Sequence, residues 1–434
     1  MDFRLSLIAA VTACAPLTAE TPSAPAHMPI GAVAQSTVQA PAPAAPAPSP
    51  ADAGADSFAA SFDAWKQGFL DRKAGENRAA WARELEGLSP DETVVRRDRN
   101  QPEFSRSVGD YVNGAVTADR IAQARQAISA NAWLSQIEAR YGVPAEILVS
   151  IWANESAFGR IQGDFDVVRS LATLAWEGRR RDWAEGQLAD ALTIITSGKA
   201  PRSRLKGSWA GAMGQTQFMP DNYLRLGEDG DGDGVVDIWG SDRDSLASAA
   251  NLLARAGWKR GQRWALEVEL PTGFDYGLAE AERQPWSFWR ERGVRLLNGA
   301  ALTDAEAAEQ MTVILPQGAD GPAILTLPNH YIIRRYNNST AYALAVGLLA
   351  DRAMDRPGIS RAWPVETPLS RDQRMSAQRY LQVLGFDPGG VDGIIGTGTR
   401  TALRRWQQAR GLRADGYLTT AVLEQLQRDA ASRL

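Results

Sequence analysis

The chain has 434 residues, enough for two or three domains at roughly 100–200 residues each. Hydrophobic residues at 44% and charged residues at 23% describe a globular protein, and a net charge of −4 argues against a partner gripped through phosphates, such as nucleic acid. One cysteine (Cys14) and two histidines (His27 and His330) exclude an internal disulfide, thiolate metal sites and multi-histidine zinc sites, leaving carboxylates to carry the chemistry.

Chain order begins with one cation, Arg4, and an apolar run over 5–13 that ends in Val11-Thr12-Ala13-Cys14. A positive start and a short apolar core form a secretory pattern, too short to span a bilayer. Residues 1–14 therefore read as a lipoprotein-type signal, with Cys14 acylated as the mature N-terminus. Cleavage after Ala19 is the alternative, which would release a soluble periplasmic protein. Residues 15–56 are rich in Pro and Ala and contain no Phe, Trp or Tyr, so they read as a disordered, polyproline-like tether.

Helical periodicity takes over from residue 57 and continues to about 355, with amphipathic runs at 118–141, 144–154, 183–196, 245–256 and 341–354. Strand character is confined to 264–270 and 311–315. The fold class expected is mainly α, with an α+β portion. Within the 144–154 helix, Ile147, Leu148, Ile151 and Trp152 share one face, and Glu155 continues that apolar stripe. A carboxyl on a buried stripe has its charged form disfavoured, so its pKa rises and it can serve as a general acid near neutral pH.

Three further segments carry polar groups. In 206–220, small residues let the backbone approach a ligand, and Ser208 and Gln217 offer neutral hydrogen bonds. Residues 335–343 place Tyr336, Asn337 and Tyr342 just before an apolar helix. The triple Arg179-Arg180-Arg181 could grip a carboxylate. The acidic loop starting at Asp229 presents Asp229, Asp231, Asp233, the Val235 carbonyl and Asp237 at the spacing of an EF-hand calcium loop, with Gly234 at the sixth position. Its twelfth position is Gly240 rather than an acid, so Asp237 or Asp242 would have to substitute and affinity should be weakened.

Three prolines mark a break at 356–368, across which few contacts are expected. The remaining 369–434 form three short helical patterns joined by Gly-Asp turns. Their string Leu381, Val391-Asp392-Gly393, Ala402-Leu403, Trp406-Gln407, Gly411-Leu412 and Asp415-Gly416 resembles the three-helix peptidoglycan-binding domain of bacterial wall hydrolases.

The longer segment carries a second resemblance. Gln101-Pro-Glu-Phe104, Tyr141-Gly-Val-Pro144 with Asn154-Glu155-Ser156, the arginine pair, Gly211-Ala-Met-Gly214 with Gln217-Phe-Met-Pro220, and Tyr336-Asn337 with Ser339 and Tyr342-Ala343 occur in the order seen in the membrane-bound lytic murein transglycosylase B family. The resemblance implies a lysozyme-like catalytic domain over 57–355 in the periplasm of a Gram-negative bacterium, anchored to the outer membrane through Cys14. It implies Glu155 as the single general acid/base, Ser208, Gln217, Tyr336, Asn337 and Tyr342 along the glycan cleft, and Arg179 and Arg180 facing the stem peptide. Peptidoglycan is the expected partner, and no cofactor is needed for the chemistry beyond a structural Ca2+ in the acidic loop. Two other readings stay open: a goose-type-lysozyme-like hydrolase using Asp164 or Asp166 to activate water, and a non-catalytic wall-binding protein.

Overall fold

The computed structural model describes residues 55–100, 106–281 and 283–433. The signal with Cys14, almost all of the Pro-rich tether, and the Gln101–Phe104 motif lie outside the described residues. The described residues divide into two compact units, one up to Pro90 and a larger one from Asp91 onward. In the first, helices Ala55–Lys73 and Arg78–Leu85 flank a single 3-10 turn. A ladder of rings, Phe62–Trp65–Phe69–Trp81, spaced 5.4 to 5.9 Å, forms its core. Buried Lys66 caps the end of the second helix by donating to the Leu85 and Leu88 carbonyls.

The larger unit is built around the helix Thr340–Ala353, which packs against Ala145–Ser156, Val108–Ala115, Ala118–Ala130 and Pro328–Tyr336. It is apolar and buried on every side over 342–350, as a central helix must be. Gly347 is required there, because a Cβ would stand 2.1 Å from the Trp264 indole. Overpacking of that kind costs about 1–3 kcal/mol. Gly347→Ala should lower the urea midpoint accordingly, and an unchanged midpoint would show that Trp264 can move aside.

The expected 118–141 helix is interrupted. Asn131 takes over backbone bonding, its Nδ2 donating to the Ala127 carbonyl (2.8 Å) and its Oδ1 accepting the Trp133 indole N–H (3.0 Å). Two helices result, Ala118–Ala130 and Leu134–Tyr141, as a side chain that competes with the helix ladder would dictate. The two expected strands form at Ala265–Glu269 and Thr312–Ile314. They join an antiparallel sheet in the order Arg295–Leu296, Ala265–Glu269, Ala323–Thr326, Thr312–Ile314. Val268, Val313, Ala323 and Leu325 pack on Trp289 and Met311 to make a local core.

Helices Arg371–Val383, Thr397–Ala409 and Thr420–Ala431 enclose their own core around Leu381, Leu403, Trp406 and Leu426. The expectation of few contacts across 356–368 is not met. Glu280 Oε2 accepts Arg400 Nε and Arg404 Nη2, both at 2.7 Å. Arg400 also donates to the Leu315 carbonyl (2.7 Å), Asp415 accepts the Ala319 N–H (3.0 Å), and Arg413 pairs with Asp320. The connecting segment itself is tied down: the Ser360 and Arg361 amides donate to Glu267, and Gln317 Nε2 donates to the Pro364 carbonyl. Prolines stopped regular structure here without freeing the chain.

Candidate active site

Helix Ala145–Ser156 carries Glu155 at its C-terminal end. All of its residues but Asn154 are buried, so Glu155 is enclosed because the whole helix is, not because it extends one apolar stripe. Beyond Ser156 the chain turns through three consecutive left-handed residues, Ala157 (φ 51°), Phe158 (φ 61°) and Gly159 (φ 79°). Two of these bear side chains, a strained arrangement that persists only where surrounding contacts over-determine it. Such contacts surround this turn. The Ser156 hydroxyl accepts the Gly159 amide (2.8 Å), and Gln215 Oε1 accepts the Trp152 indole N–H (2.8 Å) while its Nε2 donates to Asp242 (2.9 Å).

Burial pushes the Glu155 carboxyl up from the ordinary carboxylate value to about 8, partly offset by the Tyr342 hydroxyl that faces it. That hydroxyl is itself buried and falls short of full hydrogen-bond geometry with any partner. Tyr336 stands close to Tyr342 and donates to the Thr216 carbonyl, which ties the 335–343 segment to the 206–220 loop. Next along that loop, Gln217 adopts φ 51° and its Nε2 donates to the Gln162 and Gly214 carbonyls, both at 2.9 Å. Glu155, Gln217, Tyr336 and Tyr342 are therefore brought together. Gln217 Oε1 and Asn337 Oδ1 are buried with no partner among the described residues, as is the Tyr342 hydroxyl. Buried polar atoms left unpaired demand an explanation. A wall of such atoms beside an enclosed acid suits a ligand rich in hydroxyl and amide groups.

Ser208 closes the loop: its hydroxyl accepts the Ala212 amide (3.1 Å) and its own amide donates to the Ala212 carbonyl (2.8 Å). Tyr111 joins the site although no motif pointed to it. Burial first, and then the nearby Glu155 charge, hold its phenol well above the usual range, while Arg120 opposes them. Arg120 in turn donates to the Ala153 carbonyl, on the Glu155 helix. A lone tyrosine on an amphipathic helix carries no spacing signal, so only the tertiary packing identifies it.

Arg179 and Arg180 are turned onto an internal acid. Asp98, 1% exposed, accepts Arg179 Nε and Arg180 Nη2, both at 2.8 Å. Arg180 also lies over the Trp183 ring. Asp166 caps the helix Val167–Glu177 and is bound by Arg202 Nη2 at 2.9 and 3.0 Å, which leaves it poorly placed to activate water; Asp164 is exposed. His330 is fully buried between Trp264 and Tyr331, and burial lowers it to about 3. It is a neutral core residue, and no Ser-His nucleophile can use it.

The acidic loop also departs from expectation. The carboxylates that converge are those of Asp229, Asp231 and Asp244, with ligand oxygens within 4.8 Å of one another. Asp237 instead pairs with Arg204 (3.1 Å) and accepts the Trp239 and Gly240 amides. Asp233 accepts the Val235 amide and stands outside the trio, and Asp242 serves Gln215. Asp244 joins the cluster from beyond Gly240. It is buried at the base of the loop, where Gly230 and Asp237 amides hold its two oxygens at 2.8 and 2.7 Å. The twelve-residue frame could not show it, because Asp244 lies four residues beyond.

A family model described as "Transglycosylase SLT domain" matches residues 61–351, and one described as "Putative peptidoglycan binding domain" matches 370–426. The chain belongs to the transglycosylase SLT family. Among family relatives, membrane-bound lytic murein transglycosylase B of Escherichia coli K12 is 34% identical over 211 residues, 48% of this chain and 56% of that relative's length. SltB3 from Pseudomonas aeruginosa, solved with NAG-anhNAM-pentapeptide, is 47% identical over 84% of this chain and 99% of its own, with a TM-score of 0.80. Escherichia coli Slt35, solved in complex with calcium, is 28% identical over 66% of this chain and 92% of its own, with a TM-score of 0.58. The mainly helical architecture expected from the sequence, with its lysozyme-like neighbours, is what this transglycosylase SLT member adopts.

Proposed function

We propose that the chain is a peptidoglycan lytic transglycosylase. It would cut the β-1,4 bond between N-acetylmuramic acid and N-acetylglucosamine and leave a 1,6-anhydromuramoyl end. One observation carries this reading. The enclosed acid Glu155 is displaced by burial and Tyr342 alone, with no second described carboxylate near enough to shift it. Glycoside hydrolysis ordinarily uses two carboxylates, the second as nucleophile or to activate water. A lone protonated acid suits an intramolecular reaction instead. Glu155 donates its proton to the glycosidic oxygen, the bond to C1 breaks, and the resulting carboxylate removes the proton from the muramoyl C6 hydroxyl as that oxygen closes on C1. Glu155 ends as it began, and water is not consumed.

Gln217, Asn337, Tyr336, Tyr342 and Tyr111 would line the glycan cleft, with Ser208 shaping the loop and Arg179, the more exposed of its pair, nearest the peptide side. The partition that goes with this reading is signal 1–14, tether 15–56, catalytic domain 57–355, connecting segment 356–368 and wall-binding domain 369–434. By name the Escherichia coli relative is membrane-bound. We place this chain likewise in the periplasm of a Gram-negative bacterium, held at the outer membrane through Cys14. Digesting sacculi in water enriched in oxygen-18 tests the reaction class. New chain ends should carry no label, whereas one labelled oxygen per cut would transfer the assignment to a hydrolase.

Three carboxylates on one loop form a hard, all-oxygen donor set that fits calcium. Asp229, Asp231 and Asp244 would hold the ion, which would stiffen the loop and supply no catalytic step. Calcium bound only by the folded state stabilises by about 2.7 kcal/mol at a hundredfold excess over Kd. Millimolar calcium should therefore raise the melting temperature, and Asp244→Asn should remove most of the increment. An increment that survives this change would return the site to the twelve-residue frame.

A further inference from the structure

Two arginines, Arg283 and Arg334, lie at the helix that leads into the cleft loop. Arg334 lies on the helix Pro328–Tyr336, two residues before Tyr336, and its Nη2 donates to Asn338 Oδ1 (2.7 Å) on the cleft loop. Its Nε is buried with no acceptor among the described residues. The Arg283 guanidinium lies over the Tyr331 ring, 3.6 Å from the centroid, on the same helix. The two cations are close enough to oppose each other's charge, and both act on His330. The one described carboxylate felt by Arg334 is Glu280, whose Oε2 already serves Arg400 and Arg404. Arg404, more than nine-tenths buried, also leaves its Nε unpartnered. Neither Arg283 nor Arg334 has an ion-pair partner among the described residues. By contrast, Arg179, Arg180, Arg202, Arg263 and Arg356 each face an acid.

We propose that Arg283 and Arg334 form a subsite for a carboxylate of the peptide stem borne by the glycan. The inference rests on the peptidoglycan reading above and adds where the anionic part of that substrate is held. The glycan of peptide-bearing peptidoglycan is neutral, because its sugars are N-acetylated and the lactyl carboxyl is consumed in the amide to the stem. Its anions therefore sit on the peptide. Guanidinium groups match carboxylates as paired donors, and Arg334 reaches the cleft through Asn338 without occupying the glycan wall.

The test uses full-length protein and the reaction's own end product, which is not cut again. Binding of 1,6-anhydro disaccharide carrying the stem peptide is compared with the same disaccharide stripped of it, by calorimetry, for wild type, Arg283→Ala and Arg334→Gln. The peptide should tighten wild-type binding about tenfold or more. Either substitution should remove most of that increment, Arg283→Lys should restore it in part, and added salt should weaken it. Arg283 is exposed, so its substitution leaves the fold standing even if Arg334→Gln does not. No peptide increment in wild type, or an increment that survives Arg283→Ala, would overturn the subsite. Failure of the underlying reading would show separately, as absence of anhydro ends from digested sacculi.

Discussion

Replacing Glu155 with glutamine should abolish lysis of sacculi and, at neutral pH, raise the melting temperature. Glutamine keeps the shape and removes the proton on which both steps depend. The rise in stability follows from the sign of the shift. With the folded-state value raised to about 8 above the ordinary 4.5, the folded protein binds the proton more tightly than the unfolded chain. That contribution is fully present below about pH 4.5 and is lost as pH rises towards 8, which amounts to something on the order of 3 kcal/mol by pH 7. Glu155→Gln should therefore melt several degrees above wild type at pH 7.5 and close to it at pH 4. In the wild type, the rate should fall on the alkaline side of about pH 8 as the acid is lost. Residual lysis of more than a few per cent, or a flat alkaline limb, would remove Glu155 from the acid role.

Glu280→Gln is expected to have the largest effect outside the cleft. Glu280 sits at φ 60°, a conformation unfavourable for its side chain, and it is held there while one oxygen receives two arginines that are themselves 12% and 10% exposed. Removing one partner of a buried ion pair leaves uncompensated charge and costs about 3–5 kcal/mol. The variant should melt earlier, and protease should cut the 356–368 segment faster than in wild type. A variant with unchanged melting and unchanged proteolysis would show that Asp415, Arg413 and the pinned connecting segment suffice to dock the C-terminal unit. If docking matters to substrate presentation, the same variant should lose more activity on insoluble sacculi than on short soluble fragments, since a binding unit raises local concentration only where its geometry is kept.

Part of the candidate site is legible in the sequence. The helix that ends in Glu155 shows in its periodicity, whereas the roles of the 206–220 loop and the 335–343 segment come from the family resemblance of their motifs. What escaped was long-range. Tyr111 reaches Glu155 from a separate helix, and nothing in its neighbours marks it. Arg179 and Arg180 look like free cations in the sequence, yet Asp98, some eighty positions earlier, accepts both. Asp244 completes the acidic trio from outside the loop motif that suggested it. The docked C-terminal unit depends on an acid and two arginines more than a hundred positions apart, whereas the prolines between them read as a free joint. Backbone punctuation reports local conformation, and it carries no information about which distant charges will hold the segment down.

Mass analysis of the fragments released from purified sacculi by the full-length wild type tests the central claim most directly. Chains ending in 1,6-anhydromuramic acid, one water lighter than their reducing counterparts, are the expected main product, and they should vanish with Glu155→Gln. Reducing ends as the main product would contradict a single acid/base acting without water.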